Sequence, residues 1–104
     1  MVTIYNYASS NEDLARMVNA DEHEHKTIEL IHNVEDITEK YTKHAFEHVY
    51  LEFWDNIVFC NADDTYRTVL YGKIDTIKII EREERTTYIV TVHGKDITYI
   101  ITCK

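Results

Sequence analysis

The chain has 104 residues, 19 of them acidic and 11 basic, and a formal net charge of −8. That length is one domain's worth, residues 1–104 taken as a single unit, and it buries enough apolar surface to fold without a staple. Such an acidic balance argues against direct binding of nucleic acid or of an anionic membrane surface, and suits a basic protein partner or simple solubility.

Two cysteines, Cys60 and Cys103, are too few for a disulfide framework, so a reduced, cytoplasmic setting is expected. The first residues carry no basic region followed by an apolar run, and no stretch is apolar for long enough to span a membrane. There is no proline, and there are only two glycines. Low-complexity linkers are therefore not expected, and the isoleucine, threonine and tyrosine content favours strand.

Val2–Tyr7 alternates and reads as a first strand. Ser9 followed by Glu12 resembles a capping box, and Leu14, Met17 and Val18 form a short helical stripe ending near Ala20. Asp21, Glu22, His23, Glu24 and His25 make a polar connection to a second strand, Thr27–His32. Asn33 is then expected to cap a long helix from Val34 to about His48. Its apolar stripe would be Val34, Ile37, Tyr41 and Ala45, and its outer face would hold Glu35, Asp36, Glu39, Lys40, Lys43 and Glu47.

From Val49 the period changes to two. Strands are predicted over 49–54, 57–60, 66–71 and 73–81, with turns at Asp55-Asn56, at Asn61–Asp64 and at Arg82–Arg85. The last two strands, Thr86–Val92 and Ile97–Cys103, flank His93-Gly94-Lys95-Asp96. A type II′ turn at Gly94-Lys95 sets Val90 opposite Tyr99, Tyr88 opposite Ile101 and Ile89 opposite Ile100. The expected fold is α+β: a strongly curled antiparallel meander of about five to six strands, with two N-terminal helices packed on one face.

No sequence motif for a nucleophile, a Walker loop or a structural zinc site is present, so no enzyme activity and no cofactor are expected. His44 and His48, four apart on the predicted helix, and the pair His23 and His25 leave a metal- or small-ligand-binding domain as one alternative. A module that pairs through an edge strand, with 97–103 as that edge, is another, and a homodimer is compatible with it.

Charge is unevenly spread. Residues 1–64 hold fourteen acids and four bases, net −10, and residues 65–104 hold five acids and seven bases, net +2. A compact acidic face can occupy a groove built for the phosphate array of DNA. The expected function is therefore a small acidic inhibitor or regulator of a basic, nucleic-acid-handling protein, of the phage anti-defence type such as an anti-CRISPR or anti-restriction protein. The expected binding residues are Asp21, Glu22, Glu24, Glu35, Asp36, Glu39, Glu52, Asp55, Asp63 and Asp64. Tyrosine and tryptophan anchor protein interfaces, and Tyr50 and Trp54 would share a strand face with Glu52 between them.

Overall fold

The computed structural model describes residues 2–7, 10–32 and 42–104. In chain order they form β1 (Thr3–Tyr7), α1 (Asn11–Ala20), β2 (Lys26–His32), β3 (Thr42–Ala45), β4 (His48–Leu51), β5 (Ile57–Cys60), β6 (Arg67–Leu70), β7 (Ile74–Glu81), β8 (Thr86–Val92) and β9 (Ile97–Cys103). Among the described residues no helix is long and apolar enough to cross a membrane.

The single curled meander is replaced by two separate antiparallel sheets, neither closed nor strongly curled. The larger has the order β1-β7-β8-β9-β2-β3, and the smaller the order β4-β5-β6. The α+β, antiparallel character holds, but with nine strands and one α-helix among the described residues. The predicted helix over 34–48 is contradicted at its C-terminal end. Residues 42–45 are strand, paired Thr27 to Ala45 and Glu29 to Lys43, and His48 opens another strand. Residues 33–41, the rest of that helix, lie outside the described residues.

Two crossings carry the chain between the sheets, and one residue marks each. At the first, Phe46 lies between β3 and β4, 2 % exposed, with its ring edge-on to Phe59 at 5.2 Å. Burying a side chain of that size contributes about 1.5–3 kcal/mol. At the second, Gly72 leaves β6 for β7 with φ 94°. A side chain there would be strained by that backbone angle, and its Cβ would come within 3.2 Å of Val92.

One core joins all the layers. Leu14, Ala15 and Val18 of α1 meet Phe59, Leu70, Ile77, Val90 and Ile101 from the two sheets. The helix and the small sheet thus cover one face of the large sheet, the inner face. The Tyr88 hydroxyl donates to Asp21 at the end of α1, and the Tyr99 hydroxyl reaches the Val69 carbonyl of β6.

The β8–β9 register is the expected one, from Thr87–Thr102 to Thr91–Thr98. Its turn sits one residue earlier than predicted. The Lys95 N–H donates to the Val92 carbonyl at 3.3 Å, with Gly94 third in the turn at φ 73°. That is the position where a type II turn requires positive φ. β9 is no edge, since β8 and β2 flank it, so pairing through 97–103 is ruled out.

Candidate functional site

The β4–β5 hairpin closes through Phe53, Trp54, Asp55 and Asn56. The Glu52 N–H donates to the Asn56 carbonyl at 2.8 Å, and the Asn56 N–H to the Phe53 carbonyl at 3.4 Å. Trp54 has φ 65° and ψ 28°, and Asp55 has φ 60°. Both central residues are left-handed, the signature of a type I′ hairpin turn, which ordinarily selects Asn-Gly. A β-carbon in that region costs about 1–2 kcal/mol per residue. The conformation throws the indole into solvent, 93 % exposed, beside a Phe53 that is 85 % exposed.

Asn11 holds this strained turn in place. It opens α1 on the same stripe as Leu14, Ala15 and Val18, and is itself 7 % exposed. Its Nδ2 donates to the Asp55 carbonyl at 3.0 Å and to the Gly72 carbonyl at 2.7 Å, while its Oδ1 accepts from the Ile74 N–H at 3.1 Å. Asn56 Oδ1 accepts from the Gly72 N–H at 3.1 Å. Ser10 caps the helix, taking the Asp13 N–H on its Oγ. A cleft of about 380 Å³ opens there, lined by Ser10, Glu12, Trp54, Asp55 and Lys73 among others.

The outer face of the small sheet continues this surface. The Arg67 guanidinium donates to the Tyr50 hydroxyl and to Glu52, and lies 5.9 Å from the Tyr50 ring. Arg67 belongs to β6 and Tyr50 to β4, so the side chain reaches across β5, whose Val58 and Cys60 are buried. Tyr71 is exposed, with the Lys95 ammonium 5.6 Å from its ring.

The expected acidic residues divide among several places. Glu52 and Asp55 flank the Trp54 turn, together with Glu12 in the cleft. Asp63 and Asp64 sit in the β5–β6 connection, at the opposite end of the small sheet. There the Thr65 side chain foremost, and then its N–H, bond Asp63 and lower its carboxyl from the ordinary value, and Asp64 is left-handed at φ 61°. Asp21 is structural: its buried carboxylate takes the Tyr88 hydroxyl and the His23 N–H, with His23 Nδ1 at 2.6 Å. Burial works to raise its pKa, and the bonds from His23 and Tyr88 outweigh that and lower it. Glu22 and Glu24 are exposed beside it. Glu35, Asp36 and Glu39 lie outside the described residues.

Trp54 and Tyr50 do not share a strand face as predicted, because β4 ends at Leu51 and Trp54 caps the hairpin. Phe53, Asn11 and Arg67 complete the site and were not anticipated. The stripe of α1 held a signal for Asn11, a polar residue in register with three buried apolar ones.

His44 and His48, expected four apart on one helix, lie on different strands. His44 is on β3, bonded to Thr68 of β6 and to the Ala45 carbonyl, and His48 is on β4. Among the described residues no three His, Cys, Asp or Glu side chains are grouped to hold a metal ion. Both cysteines are buried free thiols, and burial foremost raises both, Cys103 to about 12.

No protein-family model, curated protein or solved structure matches this chain.

Proposed function

We propose that this chain is an acidic binding domain that engages a basic protein through the Phe53–Trp54 turn. The observation that carries this is the indole of Trp54, 93 % exposed on a left-handed backbone that Asn11 pins from behind. Strain of this kind persists where the surrounding structure enforces it, and a large exposed aromatic is what a partner's pocket takes as an anchor. Glu12 and Asp55 place negative charge beside the anchor, with Lys73 in the same cleft and Glu52 paired to Arg67.

A partner with a Lys- and Arg-lined groove complements that chemistry, and grooves of that kind belong to proteins that handle nucleic acid. On this reading the domain acts by occupying the groove, as an inhibitor or regulator of the anti-defence type, and performs no catalysis. A cytoplasmic setting accords with its two free, buried thiols.

Tryptophan fluorescence tests the reading directly, because Trp54 is the only tryptophan in the chain. The free protein should emit as a solvated indole, open to an aqueous quencher. Adding a host fraction enriched in basic nucleic-acid-binding proteins should shift the emission to the blue and protect it, with the effect lost at high salt. An emission that stays solvated across fractions that bind the chain would contradict it.

A further inference from the structure

We propose that the outer face of the large sheet is a self-pairing surface, and that its occupant is a second copy of this chain. The α1 helix and the small sheet cover only the inner face. On the outer face Ile31, Ile80, Ile89 and Ile100 are half-buried, and along β8 and β9 Ile89 and Ile100 alternate with threonines. None of these isoleucines belongs to the core cluster.

The register fixes which residues share a row across the sheet. One row reads Asn6, Lys78, Ile89, Ile100, Glu29, Lys43 from β1 to β3. The row on one side reads Ile4, Ile80, Thr87, Thr102, Thr27, Ala45. The row on the other side reads Thr76, Thr91, Thr98, Ile31. Among these strand positions the charged side chains lie in the first row alone, and Glu29 is the only acid. Within these rows two copies therefore approach without acid meeting acid.

The centre of the six-stranded order falls between β8 and β9. A two-fold axis parallel to the strands at that centre lays each row on the same row of the second copy, reversed. Ile89 then meets Ile100 of the second copy, Thr91 meets Thr98, Ile80 meets Thr27, and Lys78 meets Glu29 twice over. Among these described positions no like charges meet. Within one chain Lys78 and Glu29 are three strand spacings apart, about 14 Å, so the pairing is available only between copies. Strand spacing and rise give a face of roughly 600 Å² per copy, about 1,200 Å² in all, at the lower end for a specific dimer. Sheets of ordinary twist stack in this aligned way.

Sedimentation equilibrium over a concentration series at low salt, with circular dichroism to confirm folding, tests this. The unaltered chain should form dimers. Lys78→Glu and Glu29→Lys should each weaken them about tenfold or more, because each sets like charges face to face. Mixing the two variants should restore association, because both charge pairs are then complementary in the heterodimer. A strict monomer at every concentration, a dimer indifferent to both substitutions, or a mixture that fails to associate would each overturn the proposal.

Discussion

The side-chain amide of Asn11 donates to the backbone carbonyl of Asp55, so the first turn of the helix holds a hairpin turn forty-four residues away. The same amide also bonds Gly72 and Ile74, where the chain passes from one sheet to the other. Three elements distant in sequence therefore share one buried side chain, and the exposed indole is mounted on that junction. A binding anchor gains affinity when it is held in place before the partner arrives, because less ordering remains to be done on association.

Asn11→Ala should destabilise the fold by about 1–3 kcal/mol, since it strands a buried N–H and two carbonyls. Asn11→Asp should be worse. It keeps an acceptor for the Ile74 N–H but turns a carboxylate toward two carbonyl oxygens. Urea denaturation of the three proteins checks the order.

Trp54→Gly should raise stability, by about 1 kcal/mol, because glycine adopts a left-handed φ without penalty and the indole buries almost nothing. Thermal melts measure this. A residue that lowers stability while contributing no core is the pattern of one retained for binding.

Asp21 makes stability depend on pH with a definite sign. Its carboxyl lies below the ordinary value of 3.8 in the folded state. The unfolded chain therefore binds the proton more tightly, and the contribution of Asp21 is complete above the ordinary carboxylate range. It is lost as pH falls through the folded value. Asp21→Asn should cost about 1–3 kcal/mol at neutral pH. The difference from the unaltered chain should narrow below about pH 4, as denaturation at a series of pH values reads out.

The two thiols should be silent toward a disulfide reagent at neutral pH until the fold opens. Both are buried, and a thiol raised to about 12, as Cys103 is, has almost no thiolate at that pH. Labelling over a denaturant series should follow global unfolding for Cys103.

Much of the strand layout was legible because β7, β8 and β9 each bury one face. In β8 and β9 inward Tyr88, Val90, Tyr99 and Ile101 alternate with half-buried residues, and a slip by one would invert them all. Residues 42–48 misled because Lys43, Ala45 and Glu47 suit a helix, whereas pairing with β2 and the seating of Phe46 against Phe59 override that preference. The division into two sheets has no local signal, since the contacts at the crossings, such as Asn11 with Gly72 and Phe46 with Phe59, join residues distant in sequence. Trp54 read as strand because the alternation of 49–53 runs into it, and a type I′ turn at Trp-Asp departs from the residues that ordinarily announce one.

The most direct test of the account is a salt-stepped pull-down with the unaltered chain and Trp54→Gly side by side, on a host lysate. The unaltered chain should retain a basic protein at low salt and release it at high salt. Trp54→Gly, folded and no less stable, should not retain it. Equal retention by both would show that the exposed indole is not the anchor, and the assignment of this surface would fail.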